Sequence, residues 1–187
     1  IAWTAHQLVS LEREGENLVD SVIIVTDRVI LDKQIRDTIK QFMQVSSTVG
    51  HAESSADLAK LINEEKKIII TTVHKVSFIL REIGTSHRDN KFAILIDEAH
   101  SSQSGSLSAN MNIALSGIDE EETTEDKIIR IMEGRKMLDN ASYFAFTATP
   151  KNKTLEMFGE EVLKNGEVKH EPFHNYSMKQ AIEEGFI

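Results

Sequence analysis

The feature that most constrains the fold is the alternation of short, β-branched apolar runs with amphipathic stretches along the chain. This alternation is typical of a parallel sheet with helices on both faces. The near-continuous apolar character of the runs suits strands that are covered on both sides. The predicted strands are Val22–Val25, Lys67–Ile70, Phe92–Ile96 and Ser142–Phe146, with a weaker one near Val45–Val49. We therefore predict an α/β domain.

Amphipathic stretches between these runs predict the helices. They are Ala2–Glu14, Val29–Phe42, Ala56–Glu65, Val73–Glu82, Lys127–Leu138 and Met178–Glu184. Ser54 precedes the third helix and Asp57 follows three residues later, a capping-box-like start. In the first helix, Trp3, Leu8 and Leu11 share one face. The aromatic residues expected in the core, rather than as base-stacking platforms, are Trp3, Tyr143, Phe144 and Phe146.

Composition excludes several classes of protein. The 187 residues carry a formal net charge of −9, which argues against a basic module that coats nucleic acid. Six of the acids lie in residues 119–126, interpreted as a solvated surface insertion. There is no cysteine, no secretory signal and no apolar run near the ~20 residues of a membrane span. We expect a cytoplasmic protein that does not enter the membrane.

A polar cluster directly follows each of four predicted strands. The clusters are residues 26–28 (Thr-Asp-Arg), 71–75 (Thr-Thr-Val-His-Lys), 97–100 (Asp-Glu-Ala-His) and 147–150 (Thr-Ala-Thr-Pro). The carboxyl ends of parallel strands share one edge of a sheet, and ligands bind there. One such cluster arises easily by chance, whereas four indicate a site.

The acidic pair Asp97-Glu98 is the most informative of these clusters. An acidic pair that ends a buried apolar strand suits a magnesium-nucleotide site. Asp97 would hold Mg²⁺, directly or through water, and Glu98 would position and deprotonate the attacking water. His100 would contact the γ-phosphate side or relay its state. The alternative, in which Asp97 caps a helix and Glu98 is a surface acid, is disfavoured by the preceding strand.

Hydroxyl and basic side chains occupy the other strand ends. Thr147 and Thr149 lie in a turn stiffened by Pro150, where they can bond to the acidic cluster and sense the nucleotide. Arg28, Thr72 and Lys75 can each contact a nucleic-acid phosphate without reading a base. Each of these residues is also compatible with an ordinary turn or helix start, and that interpretation stays open.

Together these motifs resemble a known family. Residues 94–100 resemble motif II of superfamily 2 helicases and translocases, and residues 146–150 resemble motif III. Residues 25–34 and 71–75 are similar to the Ia and Ib regions. Three segments narrow the resemblance to the restriction (R) subunit of type I restriction–modification enzymes. They are residues 26–34, Ser102-Gln103 and residues 176–185. The sequence departs from the pattern of this family at Ser101 and at Ala148, and both departures are mild.

The resemblance implies the first RecA-like (DEAH-box) motor lobe, over residues 1–170, with residues 171–187 beginning the connection to a second lobe. It implies ATP and Mg²⁺ as cofactors, and double-stranded DNA and the modification and specificity subunits as partners. No Gly-x-x-x-x-Gly-Lys-[Ser/Thr] loop appears in the sequence. In this family that loop and its strand directly precede the helix that starts at residue 2. We therefore expect a truncated lobe, inactive alone.

Two other functions remain open at this point. The chain could belong to another superfamily 2 helicase that acts on DNA or RNA, because motif II is widely shared. It could also be a degenerate lobe that serves as a non-catalytic docking module. A translocation assay that compares DNA with RNA would distinguish another superfamily 2 helicase from a type I restriction subunit. Absence of the phosphate loop from the parent protein would favour the docking module.

Overall fold

The structure, a computed structural model, describes residues 1–26, 49–97, 138–164 and 166–186. It divides into two compact units, residues 1–149 and 150–187. The two units are defined by their compactness and do not test the predicted lobe boundary at residue 170, which stays a prediction. The expected elements at Val29–Phe42 and at residues 45–48 and 127–137 lie outside the described residues.

The first unit is an α/β layer structure. In chain order it contains α1 (Ala2–Val9), β1 (Glu12–Arg13), β2 (Glu16–Asn17), β3 (Ser21–Thr26), β4 (Val49–His51), α2 (Ser55–Asn63), β5 (Ile68–Thr72), a 3₁₀ turn (Val73–Lys75), α3 (Val76–Ser86), β6 (Phe92–Ile96) and β7 (Ala141–Ala145). Five of these strands form one sheet in the order β4-β5-β3-β6-β7, and every pairing in it is parallel. The predicted parallel α/β sheet is therefore confirmed.

The central strand β3 is buried along its whole length, as the continuous apolar run predicts. Alternate residues face α1: Ile24 of β3 is level with Ile70 of β5 and Leu95 of β6, and all three have no exposed surface. Ala5 of α1 joins the same cluster. The other face is also covered, because Leu61 of α2 packs so closely on Gly50 of β4 that a Cβ there would lie 2.6 Å from its Cδ2.

The first helix is shorter than predicted. It ends at Val9, and the chain turns through the β1–β2 hairpin instead of continuing to Glu14. Glu14 and Gly15 form its two-residue turn with positive φ values of 55° and 83°, the combination of a type I′ turn. The left-handed backbone at Glu14 is incompatible with a helix, so α1 cannot continue to Glu14 as predicted.

Two aromatic residues expected in the core are not there. Trp3 is 63% exposed and Phe144 is 37% exposed, so the prediction is wrong for both. Leu11 is also largely exposed, because it follows the end of α1. Tyr143 and Phe146 are partly buried, and burial raises the pKa of the Tyr143 phenol, whose oxygen accepts a hydrogen bond from the Leu138 N–H at 3.2 Å.

The capping box predicted at the start of α2 is confirmed. The Ser54 hydroxyl accepts a hydrogen bond from the Asp57 N–H at 3.0 Å, and the Asp57 carboxylate accepts one from the Ser54 N–H at 2.9 Å. The hydroxyl also donates to that carboxylate at 2.7 Å. These bonds hold the pKa of the Asp57 carboxyl below its ordinary value.

This lowered pKa predicts a pH-dependent effect of Asp57→Asn. The carboxylate stabilises α2 above its unfolded-state pKa, and this contribution is lost as the pH falls through the lower folded-state pKa. The opening free energy of the α2 amides, measured by hydrogen exchange on the full-length protein, should therefore be lower in the variant than in wild type at about pH 7, and the difference should shrink as the pH falls below about 4. Asp89→Asn, at an exposed position, is the matched control. A difference that does not change with pH would contradict the assignment.

Other helix boundaries shift slightly. The segment predicted as a helix from Val73 begins with the 3₁₀ turn, and α3 itself runs from Val76 to Ser86. Both parts bury apolar side chains, but the tighter turn lets the chain leave β5 before the helix starts.

The second unit contains α4 (Asn152–Phe158), β8 (Glu160–Lys164), β9 (Glu167–Glu171) and α5 (Met178–Glu183). The antiparallel β8–β9 hairpin and α4 were not expected from the sequence. Gly159 joins α4 to the hairpin, and a Cβ there would lie 2.5 Å from the Leu155 carbonyl oxygen and 2.6 Å from that of Glu171. Because both atoms are backbone, glycine is required for this close approach.

Candidate functional site

The carboxyl ends of β5, β3, β6 and β7 lie side by side at one edge of the central sheet. Thr72 is level with Thr26, since the β3–β5 register pairs these two residues. On the other side of β3, Val25 is level with Ile96, so Asp97 follows at the height of Thr26. The register therefore places Thr72, Thr26 and Asp97 in one row across three adjacent strands.

Asp97 is fixed beside the central strand by its backbone. Its N–H donates to the Val25 carbonyl at 2.9 Å, which extends the β3–β6 ladder one residue beyond β6. The five residues of β6 before it are buried, whereas Asp97 itself is partly exposed. A carboxylate is thus carried by a rigid strand to the point where the buried sheet meets solvent.

The turn after β5 brings Thr72 and Lys75 together. The Lys75 ammonium donates to the Thr72 hydroxyl at 3.1 Å, and both side chains are partly exposed. Val73 is buried between them in the sequence and anchors the 3₁₀ turn to the core. The result is a cation and a hydroxyl held at one edge of the sheet, a donor pair suited to an anionic oxygen.

The strand end of β7 adds a hydroxyl turn on the other side of Asp97. The Phe146 N–H donates to the Ile96 carbonyl at 2.9 Å, which keeps β7 paired with β6 as far as Phe146. The Thr147 hydroxyl then accepts a hydrogen bond from the Thr149 N–H at 3.2 Å. This bond between residues i and i+2 is a local turn of the Ser/Thr type. It places Thr147 next to the strand that carries Asp97.

The structure therefore gathers five of the predicted site residues at one edge, namely Thr72, Lys75, Asp97, Thr147 and Thr149. Arg28, Glu98 and His100 lie outside the described residues, so their positions stay predictions. Two buried hydroxyl residues at this edge, Thr26 and Thr71, were not singled out from the sequence. The signal for them is a threonine within an isoleucine- and valine-rich strand, where a hydroxyl must find a partner.

The oxygen donors at this edge fit a magnesium ion only in part. Mg²⁺ is held in nucleotide sites by one or two carboxylates, with substrate phosphates and water completing its shell. Asp97 can provide one such carboxylate. Within the described ranges, which leave out Glu98 and His100, no group of three His, Cys, Asp or Glu residues forms a metal cluster. The donors for the phosphates, a glycine-rich loop with its lysine, are not present in the sequence.

In the part of the chain that the structure describes, no helix is both long enough and apolar enough to cross a membrane.

Comparison with known proteins agrees with this geometry. A model of the SWI2/SNF2 ATPase family matches residues 2–187. The type I restriction enzyme SsaAORF53P endonuclease subunit of Staphylococcus saprophyticus is 27% identical over the whole chain, and the SauMSSORF170P endonuclease subunit of Staphylococcus aureus is 24% identical over the same extent. The chain spans only 17% of the length of each of these relatives. The predicted resemblance to type I restriction subunits is thus confirmed.

Two further matches are more distant in extent or in shape. A putative type I restriction enzyme MjaIXP endonuclease subunit of Methanocaldococcus jannaschii is 30% identical over 75% of this chain, which corresponds to 12% of that protein. Among solved structures, Caenorhabditis elegans PCH-2 covers 83% of this chain and 38% of its own at a TM-score of 0.28 and 12% identity, which is too low to inform the fold.

Proposed function

Because this chain belongs to the SWI2/SNF2 ATPase family, we propose that it is the first motor lobe of a type I restriction endonuclease subunit, in which ATP hydrolysis drives movement along double-stranded DNA before cleavage. The proposed lobe covers residues 1–170, and residues 171–187 begin the connection to a second lobe. The observation that carries the proposal is the row of Thr72, Thr26 and Asp97 at the carboxyl edge of a parallel sheet.

The proposed chemistry divides among the strand ends. Bound Mg²⁺-ATP supplies the reacting phosphoryl group and the metal charge that stabilises its transfer. Asp97 would hold the metal, directly or through a water molecule, from the end of a buried strand. Glu98 orients the attacking water and accepts its proton. These two roles require a carboxylate at each position, since an amide can neither neutralise the metal nor take the proton.

The neighbouring strand ends connect this chemistry to the nucleic acid. Thr147 and Thr149 form a turn beside β6, where they and His100 report the state of the nucleotide to the rest of the lobe. Arg28, Thr72 and Lys75 contact phosphates of the DNA backbone, because a cation or hydroxyl can hold a phosphate without reading sequence. Sequence recognition is left to the specificity subunit, with which the modification subunit also assembles. We propose that the protein works in the cytoplasm.

The test is ATP turnover by the full-length protein with different nucleic acids. We expect duplex DNA to stimulate turnover, and duplex RNA or single-stranded DNA to stimulate it much less. Equal stimulation by RNA would instead favour another superfamily 2 helicase. No turnover with any nucleic acid, while the protein still binds modification and specificity subunits, would favour a docking module.

The 187-residue chain by itself is predicted to hydrolyse no ATP. Its sequence contains the acidic pair but not the glycine-rich loop that cradles the β- and γ-phosphates. Phosphate release measured with the purified chain, with and without duplex DNA, should match the rate without protein. Turnover that rises with chain concentration and is stimulated by DNA would contradict this prediction.

A further inference from the structure

Two threonines at the functional edge are almost completely removed from solvent. Thr26 at the end of β3 is 1% exposed and Thr71 near the end of β5 is 0% exposed. The residues before them are isoleucine and valine, also buried. Valine has nearly the same shape as threonine, so packing alone does not account for two hydroxyls here. A buried hydroxyl costs free energy unless it is hydrogen-bonded.

Both hydroxyls reach the backbone of the next strand along the sheet. The Thr26 hydroxyl donates to the Thr71 carbonyl, and the Thr71 hydroxyl donates to the Ala52 carbonyl, each at 3.5 Å. Ala52 directly follows β4, and its own N–H donates to the Ile70 carbonyl at 3.0 Å. A chain of side-chain bonds therefore runs from β3 through β5 to the exit of β4.

These bonds act at the level where the strands end. The next residue after Thr71 is Thr72, which receives the Lys75 hydrogen bond, and the row of Thr26 also contains Asp97. At 3.5 Å each bond is long, so each adds little to global stability. Their location makes them better suited to fixing the relative position of strand ends than to holding the sheet together.

We propose that Thr26 and Thr71 are positioning residues, whose buried hydroxyls lock the ends of β3, β5 and β4 so that the Thr72–Lys75 turn is held at a fixed height relative to Asp97. In the motor proposed above, on which this inference rests, the turn contacts DNA and Asp97 serves the nucleotide. The hydrogen bonds of these two threonines would keep the DNA-contacting turn and the nucleotide site in one fixed relative position. Neither threonine touches ATP or DNA itself.

The first test measures the turn directly and does not depend on any activity. Hydrogen exchange by mass spectrometry on the full-length protein should show faster exchange in residues 72–76 of Thr71→Val than of wild type. Exchange in the cores of β3 and β6 should stay unchanged. Thr71→Ser keeps the hydroxyl and should restore slow exchange. Thr85→Val is the matched control, because the Thr85 hydroxyl also donates to a backbone carbonyl, that of Arg81 at 2.8 Å, but at an exposed position of α3. Unchanged exchange in Thr71→Val would overturn the proposal.

The second test measures the consequence for DNA. Loss of one long hydrogen bond that positions the turn should raise the DNA concentration for half-maximal ATPase stimulation about two- to threefold, with the rate without DNA unchanged in Thr71→Val. Thr26→Val should also raise the DNA requirement, and Thr26→Ser and Thr71→Ser should behave like wild type. Faster exchange with an unaltered DNA requirement would overturn the positioning role. If DNA did not stimulate ATP turnover by the wild-type protein, the proposed motor function would be contradicted. The exchange result would still decide whether the two hydroxyls position the turn.

Discussion

Replacing Asp97 with Asn in the full-length protein is expected to lower ATP turnover at least about 100-fold at saturating ATP, because the metal ion that this carboxylate would hold contributes several kcal/mol of charge stabilisation. The substitution keeps the shape of the side chain and leaves the backbone bond from residue 97 to Val25 in place. The loss should therefore arise from chemistry rather than folding. Turnover is measured with and without duplex DNA over a range of Mg²⁺ concentrations.

The matched control for this substitution is Asp139→Asn. Asp139 is an exposed aspartate in the turn that precedes β7, at the amino end of the strands and far along β7 from the functional edge. Its variant should turn over ATP at the wild-type rate. If Asp97→Asn retained a third or more of wild-type turnover while Asp139→Asn did the same, Asp97 would not be a metal-binding residue.

Truncating Leu95 to alanine should have the largest effect on stability. Leu95 is fully buried beside Ile24 in the cluster that α1 covers, and deletion of such a side chain typically costs about 2–5 kcal/mol. The effect should be read from the free energy of opening of the β3 and β6 amides by hydrogen exchange. This measure reports on the central sheet alone, so it does not assume a single unfolding transition for both compact units.

Leu18→Ala is the control for Leu95→Ala. Leu18 is 37% exposed beside the β1–β2 hairpin, so its truncation should change the same opening free energy by less than about 1 kcal/mol. Similar losses in the two variants would mean that the central sheet is not the stability core of the first unit. Because Leu95 lies two residues before Asp97, the variant should also lower ATP turnover by allowing the end of β6 to move.

The sheet was predictable because its strands are defined by burial on both faces. Phe92–Ile96 was predicted with the bounds observed, and β7 is displaced by only one residue, because continuous apolar runs have few alternative positions. The shared edge followed from parallel pairing alone. The same reasoning missed β8 and β9, in which charged and apolar residues are exposed on both faces, so no alternation marks the strand.

Errors in the first unit come from local backbone chemistry and from burial that the sequence does not determine. Helical spacing continues past Val9, but α1 ends there, and the Glu14-Gly15 turn excludes a helix at the end of the predicted range. Trp3 is expected in the core rather than as a base-stacking platform, yet it lies on the exposed side of α1. The hydroxyl chain from Thr26 to Ala52 depends on strand order, which brings residues from three separate segments together, and a linear motif does not contain that information.

The central claim is that this chain works as part of a motor on duplex DNA, and translocation is its most direct measurement. The full-length protein, assembled with the modification and specificity subunits proposed as its partners, is given ATP and a duplex carrying a bound triplex-forming oligonucleotide at a distance from the recognition site. We predict displacement of the oligonucleotide that requires ATP hydrolysis, is delayed in proportion to that distance, and is absent in Asp97→Asn. Displacement that proceeds equally with the Asp97→Asn protein, or none with wild-type protein that hydrolyses ATP on the same DNA, would contradict the claim.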